Sequence, residues 1–356
     1  MKKNVYPLCL IVILLLINTF ACIAQDGRYR SQALFILDIA SDARSAGMGD
    51  VGAATSADAM SQKWNPSKYI FAPSSKGASV SYTPWLNRIE KGMNIGLLSG
   101  YVRLENKSAI GFSATYLSIG GMDLRDYAGN YEGTVSTEEY AIDVSYSHRL
   151  GDHFSGGITL RYANTFKIES TGGVNGVLRP SPAFAGDVAF FYTKPVEAFN
   201  KTTNLAFGTC LSNLGTKVKL SGDEEVFLPM NWRLGVTWDI NLDAKNALST
   251  SFDINKSLVP LTYDRNLTVL EAVGKSFGNS RDFVWATGLE YSFMRAAMLR
   301  AGYHHSRSSR GYRYFTLGAG LVYKSLKFDT SYLLATSNIN TPFSNTFRVS
   351  MSYVWN

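Results

Sequence analysis

A two-residue alternation of apolar and polar side chains, repeated in segments of about ten residues, is the feature that most constrains the fold of this chain. The last segment, TFRVSMSYVWN at residues 346–356, is the clearest example. Alternate positions from Phe347 to Trp355 are apolar, and Arg348 and Ser350 lie between them. Successive side chains of a β-strand point to opposite faces, so the pattern predicts strands with one apolar and one polar face.

Fourteen segments of this kind follow one another from residue 77 onward. We predict strands near residues 77–86, 91–103, 107–118, 138–149, 153–168, 183–192, 204–213, 229–239, 246–256, 281–293, 295–304, 312–323, 325–335 and 346–356. Short connections at 105–107, 151–152 and 241–245 and at Met294 and Lys324 alternate with long ones at 119–137, 169–182, 214–228, 257–280, 305–311 and 336–345. The connections at 87–90 and 193–203 depart from this alternation.

Alternation alone fits a soluble β-sandwich as well as a membrane barrel. Short turns at one end and long loops at the other are typical of outer-membrane barrels, in which every backbone group is paired because the sheet has no edge. The composition agrees, since only 18% of residues are charged while 13% are aromatic and 31 are glycine. We therefore predict an all-β fold, a transmembrane antiparallel β-barrel of about 14 strands with a short N-terminal plug segment. A secreted sandwich is the alternative.

The N-terminus has the pattern of an export signal. Lys2 and Lys3 precede an apolar run at 8–17, and the small residues Cys22 and Ala24 form a cleavage site. Beyond this signal, no segment of the sequence reaches the ~18 apolar residues that a membrane-spanning helix needs. We expect a protein of the cell outer membrane, with a signal peptide at 1–24, a plug segment at 25–76 and the barrel at 77–356.

The plug segment contains SAGMGDVGAATS, in which Gly47, Gly49 and Gly52 have the spacing G-x-G-x-x-G of dinucleotide-binding proteins. Such a site needs a strand running directly into the first glycine and a helix leaving the last one. Here the polar stretch ASDARSA precedes Gly47, and Asn65-Pro66 interrupts the small and polar sequence that follows. We therefore expect no nucleotide and no other cofactor, and we interpret the glycines as positions of close backbone packing inside the barrel.

The segment DARSAGMGDVGAATSADAMSQKWNPSKY, residues 42–69, joins these glycines to a later Trp64-Asn65-Pro66. In this combination it resembles the N-terminal signature of the PorV proteins of the type IX secretion system of Bacteroidota, which belong to the FadL-like group of fourteen-strand barrels. LAFGTCLSNLG, residues 205–215, is similar to a second element of that family. PorQ, a related type IX barrel with a similar glycine-rich N-terminus, is the close alternative. We expect the plug motif to comprise Gly47, Gly49, Gly52, Trp64, Asn65 and Pro66.

The resemblance implies a transport function in which the barrel itself does no chemistry. PorV-like proteins bind the C-terminal signal domain of cargo that emerges from the SprA-type translocon, and they shuttle it to the surface attachment complex that contains the PorU sortase. The implied partners are that translocon, the cargo domains, the attachment complex and the lipid and lipopolysaccharide of the outer membrane. The outward loops would make these contacts, and the candidate partner-binding residues are Asp123, Arg125, Tyr127, Tyr131, Tyr263, Asp264 and Arg265.

Two other functions stay open. A FadL-like channel for hydrophobic solutes would use the same fold. A lipid-A or lipopolysaccharide deacylase would need a serine, a histidine and a carboxylate near the outer interface, and His304 is the histidine in a suitable place. Arginine binds phosphate in a bidentate manner, so the candidate contacts to lipopolysaccharide are Arg307, Arg310 and Arg313.

Neither a metal nor a nucleic acid is an expected ligand. The neighbours His304 and His305 point to opposite faces of a strand, which is unsuitable for one metal ion. The formal net charge of +7 is spread along the chain without a basic block. We expect the charged side chains on the lumen face to pair with each other or with the plug, namely Asp143, Arg149, Arg161, Arg233, Asp239 and Asp253.

Overall fold

The computed structural model describes residues 32–85, 92–105, 107–126, 128–171, 182–198, 201–219, 225–260, 264, 266–278, 283–306, 312–335 and 346–356. Its strands are β1 (Lys76–Pro84), β2 (Asn94–Leu104), β3 (Ser108–Arg125), β4 (Tyr131–Arg149), β5 (Phe154–Thr171), β6 (Ala183–Ala198), β7 (Lys201–Gly215), β8 (Val218–Lys219), β9 (Glu225–Val226), β10 (Asn231–Asn241), β11 (Ala247–Ser257), β12 (Phe283–Phe293), β13 (Ala297–Ser306), β14 (Arg313–Tyr323), β15 (Leu326–Ala335) and β16 (Phe347–Trp355). Its helices are α1 (Ala43–Ala46), α2 (Ser61–Trp64) and α3 (Val269–Ser276), with 3-10 segments at Phe35–Leu37 and Pro66–Phe71. In this described part of the chain, no helix is both long and apolar enough to cross a membrane.

Fourteen of these strands, β1–β7 and β10–β16, close into one antiparallel barrel. The closure joins β1 to β16, with Ala78 opposite Tyr353 and Val80 opposite Met351. Strands β8 and β9 form a separate two-stranded sheet in the connection between β7 and β10. The predicted fold class is confirmed, and each predicted strand overlaps one barrel strand.

The two faces of the barrel have the opposite polarity to the faces of a soluble protein. Large apolar side chains such as Leu160 and Leu299 are exposed on the outer face. Small polar side chains such as Ser99, Ser147 and Thr237 are buried on the lumen face. A secreted sandwich would bury its apolar faces against each other, so this arrangement identifies a barrel whose outer wall contacts lipid.

The two ends of the barrel differ in the length of their connections. Tight turns follow β2, β4, β10, β12 and β14, at the end where β1 begins and β16 finishes. Met294 and Arg295 have φ of 52° and 55°, so both residues are left-handed, as in the type I′ turns that match the twist of paired strands. The longer connections lie at the opposite, outward end, as the sequence predicts.

Several predicted connections differ from those in the structure, among them 214–228, which contains β8 and β9, and the three that follow. The stretch 119–137 is largely strand, because a bulge between Ser118 and Gly121 lets β3 continue to Arg125 opposite β4. The connection predicted at 193–203 is short, because β6 extends to Ala198 and β7 begins at Lys201. It therefore fits the alternation of short and long connections, from which the sequence prediction had excepted it. The predicted loop 257–280 contains helix α3, which a capping box between Thr268 and Glu271 begins.

The described N-terminal residues 32–75 occupy the lumen. Asp42 caps α1 by accepting a hydrogen bond from the Ser45 N–H at 2.8 Å. Both short helices are largely buried, and Ala43, Ala46 and Trp64 are among their buried residues. The first barrel strand begins at Lys76, within one residue of the predicted boundary.

Candidate functional site

The wall of the barrel binds the plug through small polar side chains. Ser99 and Ser155 donate their hydroxyl hydrogens to the carbonyls of Ala59 and Ser67, at 2.6 and 2.7 Å. In the other direction, the N–H of Ala43 donates to Ser350 Oγ at 2.9 Å. Buried backbone groups need such partners, and the wall therefore satisfies the irregular plug backbone where water cannot reach it.

The three glycines of the motif lie where the plug backbone meets other atoms most closely. A β-carbon on Gly49 would lie 2.9 Å from both the backbone nitrogen and the carbonyl oxygen of Tyr303, and the φ of Gly49 is +75°. A β-carbon on Gly52 would overlap the ring of Trp64, and one on Gly47 would lie 3.1 Å from the Cα of Gly318. Only glycine fits the Gly49 position without strain.

Glycines of the wall face the same plug segment, and they form a set that we call the glycine row: Gly208, Gly235, Gly288, Gly302 and Gly318. Gly208 lies opposite Gly235 in the sheet, and Gly288 lies opposite Gly302. β-Carbons on these residues would contact the plug between residues 47 and 53. Because the glycine row lacks side chains, the plug backbone lies directly against the wall at Gly208, Gly302 and Gly318.

A wall carboxylate binds the amides of the G-x-G-x-x-G sequence. Asp253 on β11 accepts hydrogen bonds from the N–H groups of Gly52 at 2.8 Å and Ala53 at 3.0 Å. Gly49 donates its N–H to Thr316 Oγ at 2.9 Å. In a dinucleotide site, amides of such a motif bind phosphate oxygens. Here the barrel supplies the acceptors for two amides of the motif, those of Gly49 and Gly52, and for the Ala53 amide that follows it.

The Trp64-Asn65-Pro66 part of the motif joins the plug to itself and to the wall. Trp64 donates its indole N–H to Asp42 at 2.6 Å. Asn65 donates to the carbonyls of Ala53 at 2.9 Å and Phe190 at 3.0 Å, and so connects the plug to β6. Pro66 begins a 3-10 segment, where its lack of an N–H leaves no donor unpaired.

A network of buried charges forms a second contact between plug and wall. Arg44 on α1 pairs with Asp58 of the plug at 2.8 Å and with Glu290 of β12 at 3.0 Å. Glu290 also accepts from Arg300 at 2.6 Å, and Arg300 pairs with Asp329 of β15 at 2.8 Å. Removing one member would leave a buried charge without its partner, which is strongly unfavourable.

Two ionisable plug groups have perturbed pKa values. Burial lowers the pKa of Lys68 to about 8, and the ammonium group donates to the Gly52 carbonyl at 2.7 Å. Burial raises the pKa of Asp42, and the negative charge of Asp58 raises it further. The plug interior is therefore an environment that disfavours charge unless it is paired.

The predicted pairing of lumen charges is observed in the wall as well. Arg161 on β5 pairs with Asp143 at 2.7 Å and with Asp187 at 3.0 Å. Arg233 lies over the ring of Trp64, with 4.4 Å between the guanidinium carbon and the ring centroid. These side chains pair with neighbouring strands or with the plug, so they are structural contacts and not the lining of an open path.

His304, which the deacylase hypothesis needs, lies against the plug. Its ring stacks on Tyr314 with centroids 4.5 Å apart, and its Nδ1 is 3.2 Å from the Gly49 carbonyl oxygen. A deacylase would need this side chain at the outer lipid interface. The lumen position removes it from that interface.

Four of the predicted partner-binding residues are among the described residues, and they lie at the outward end. Asp123 and Arg125 are exposed on β3, with a charged-group distance of 3.9 Å, and Tyr131 begins β4. Asp264 forms an ion pair with Lys275 of α3 at 3.7 Å. Arg313 is the exposed first residue of β14. The other predicted contacts lie outside the described residues, namely Tyr127, Tyr263, Arg265, Arg307 and Arg310.

The sequence alone does not reveal which wall residues meet the plug. The glycine row and Glu290 have no local signal that distinguishes them from other strand residues. Asp253 and Arg233 do have a signal in the sequence, because each is a charged residue at a position of a strand that points into the lumen. A charge buried there needs a partner. Which partner it finds depends on the closure of the barrel.

The barrel shares its fold with solved outer-membrane transporters. The toluene transporter TodX of Pseudomonas putida has 10% identity and a TM-score of 0.54, covering 93% of this chain and 99% of that chain. The toluene transporter TbuX of Ralstonia pickettii has 10% identity and a TM-score of 0.50, covering 88% and 98%.

Fold and wall polarity thus define the class: an outer-membrane β-barrel with fourteen strands, whose N-terminal segment lies in the lumen. The family model for the type IX secretion system protein PorV matches residues 23–264 of the 356. The chain therefore belongs to the PorV family, and the resemblance of residues 42–69 and 205–215 is confirmed. No curated protein matches the sequence significantly. The matches are to secretion and transport proteins and indicate no enzyme family.

Proposed function

We propose that this barrel is the component of the type IX secretion system that binds the C-terminal signal domain of cargo as it leaves the SprA-type translocon. It then carries the cargo to the attachment complex that contains the PorU sortase. Membership of the PorV family supports a role in this system. The observation that carries the proposal is that contacts to several strands hold the plug in the lumen. A barrel whose lumen is filled must act through its outer surface.

The seat of the plug argues for a carrier and against a channel. The Asp253 carboxylate, the glycine row and the Arg44 network hold the segment on several strands at once. A cavity of about 130 Å³ between the plug and strands β14–β16 is lined by Arg44, Asp58 and Lys327 among others. Pockets for drug-sized ligands are typically larger. The described part of the lumen therefore holds a small cavity at this place and not a wide passage.

The outward end offers the surface for cargo. Strands β3 and β4 continue past the last pair that β2 makes with β3, at Ser118, and form an extension of the wall. Asp123, Arg125 and Tyr131 lie on this extension, and Tyr131 is exposed. Exposed aromatic and arginine side chains are the types that dominate protein interfaces. We assign the extension to cargo or translocon binding.

Deletion of the gene, followed by complementation, tests this assignment. We expect many unrelated proteins with the C-terminal signal domain to accumulate in the periplasm of the deletion strain, and the wild-type gene to restore their secretion. The double variant Arg125→Glu/Tyr131→Ser should restore secretion only in part. Lys245→Glu, which changes an exposed residue of a turn at the opposite end, is the matched control and should restore it fully.

The competing functions give different results in the same strains. Loss of growth on one apolar compound, with normal secretion, would identify a solute channel. Altered lipid-A acylation with normal secretion would identify a deacylase. Either outcome contradicts the carrier proposal.

A further inference from the structure

Three neighbouring strands present a row of side chains on the outer face near their outward ends. Leu211 of β7 lies opposite Trp232 of β10, and Trp232 lies opposite Lys256 of β11. The next residue along β10, Arg233, faces the lumen, where it stacks on Trp64 of the plug. Adjacent residues of a strand point to opposite sides, so Trp232 and its two cross-strand neighbours point away from the lumen.

Helix α3 covers this row from outside the barrel. The ring of Phe277, directly after the helix, packs edge-on against Trp232 with centroids 5.9 Å apart. Leu211 and Trp232 belong to the same apolar cluster as Ala272 of the helix. Lys256 is only 1% exposed although it points outward. A segment that buries an outward-pointing lysine must lie against the outer wall.

The helix has three sides of different character. The side toward the wall carries Val269, Ala272, Val273 and Ser276, the spacing of one face of a helix. The rest of its circumference is divided into two edges, which flank the side toward the wall. One edge is apolar, with Leu270 83% exposed and Phe277 53% exposed. The other edge carries the exposed charges of Glu271 and Lys275.

Strand geometry places the helix at the level of the outer lipid leaflet. Trp232 and Ile240 are outward-facing residues near the two ends of β10, eight steps apart. At about 3.3 Å per residue and a tilt of about 40°, they are separated by roughly 20 Å along the membrane normal. The apolar band of such barrels is about 25 Å tall. With Ile240 near the inner boundary, Trp232 lies within a few Å of the outer boundary of this band, and α3 lies beside it.

We propose that α3 is an interfacial helix whose apolar edge, Leu270 and Phe277, is embedded among acyl chains of the outer leaflet. The occupant follows from continuity, because Phe277 rests on Trp232, and Trp232 is part of the lipid-facing wall. The charged edge, with Glu271 and Lys275, then faces the headgroups and water. This division into an apolar and a charged edge is typical of helices that lie in the membrane plane.

Spin labels on the two edges test the proposal with the complete barrel reconstituted in phosphatidylcholine–phosphatidylglycerol vesicles. Leu270→Cys places a label on the apolar edge, and Lys275→Cys is the matched control on the charged edge of the same helix. Both side chains are exposed, so neither substitution disturbs packing. The native Cys210 is buried and does not compete for the label.

We expect the label at 270 to be more accessible to oxygen, which partitions into acyl chains, than to a water-soluble nickel complex. The label at 275 should show the opposite preference. Equal nickel accessibility at both positions would overturn the proposal, because it would place both edges in water. A label at 270 that is shielded from both agents would also overturn it, since a protein surface would then be the occupant.

Discussion

Gly208→Ala is the substitution that tests the seat of the plug most severely. Gly208 lies on the lumen face of β7, and a β-carbon there would overlap the carbonyl group of Ala53 and lie 3.0 Å from the amide nitrogen of Asn65. Two of these contacts are with backbone atoms, which cannot rotate away. The plug must therefore move off the wall by about 1 Å or more to regain normal contact distances.

The cost of that movement follows from the bonds at the same place. Ala53 donates its N–H to Asp253 at 3.0 Å and Asn65 donates to the Phe190 carbonyl at 3.0 Å, and a shift of this size takes both of these bonds to the wall beyond hydrogen-bonding distance. Overpacking alone costs about 1–3 kcal/mol, and a lost hydrogen bond to a charged group costs about 1.5–3 kcal/mol. We expect plug seating to weaken by about 3 kcal/mol, which is roughly a hundredfold in the ratio of seated to released plug.

Limited trypsin digestion of the refolded full-length barrel measures this ratio. The plug contains Arg44 and Lys68, which are buried while it is seated, so cleavage there reports the released population. Gly96→Ala is the matched control, because a β-carbon on Gly96 in β2 meets no atom within 4 Å. Cleavage of Gly208→Ala at the rate of wild type and of Gly96→Ala would refute the reasoning about the glycine row.

The same digestion assay checks three further predictions, with cleavage read at Lys68 where Arg44 is replaced and at Arg44 where Lys68 is replaced. Arg44→Met leaves Asp58 without its cation and should weaken the binding of the plug to the wall by about 3 kcal/mol. Adding Asp58→Asn should restore part of this loss. If neither variant changes the cleavage rate, the charge network does not hold the plug. Asp253→Ala leaves the N–H groups of Gly52 and Ala53 unpaired and should weaken the binding of the plug by about 3 kcal/mol. Asp253→Asn keeps an acceptor and should weaken it less. Equal cleavage of the two variants would contradict the hydrogen-bond assignment. Burial lowers the pKa of Lys68 from 10.5 to about 8 in the folded state, so the unfolded state binds more protons between these two pH values. The stability of the wild type relative to Lys68→Met should therefore rise with pH across that window, by of order 1 kcal/mol per pH unit. A stability difference that is independent of pH would contradict the burial of the charged amine.

The strands could be predicted from the sequence because their signal is local. Alternation between Trp232 and Ile240, or between Phe347 and Trp355, reads directly as two faces, and the barrel orients both faces as expected. The prediction was wrong where the local pattern is interrupted. Gly120, with φ of +70°, belongs to an irregularity that ends the visible alternation of β3 although the strand continues.

Helix α3 was missed although the sequence contains its signal. Thr268 and Glu271 have the spacing of a capping box, and Val269, Ala272 and Ser276 have the spacing of one helix face. The segment was interpreted as a loop because it lies between two strands of a barrel. Eight residues are few for a helix that is not packed against anything, and α3 depends on its contact with the wall.

The contacts of the plug could not be predicted in the same way. Gly52 and Asp253 are 201 positions apart, and Arg44 and Glu290 are 246 apart. No property of either residue alone specifies the other, because their proximity results from the closure of the whole sheet. The motif identified the plug residues that make these contacts. Their partners on the wall are determined by the register of the strands, which the sequence does not reveal.

Affinity purification of the tagged full-length barrel from the outer membrane, with identification of the proteins that accompany it, tests the central claim most directly. The carrier account predicts recovery of the SprA-type translocon, components of the attachment complex and several cargo proteins that share the C-terminal signal domain. It also predicts that Arg125→Glu/Tyr131→Ser reduces the recovered cargo while Lys245→Glu does not. Recovery of the intact barrel with neither translocon nor cargo would contradict the account.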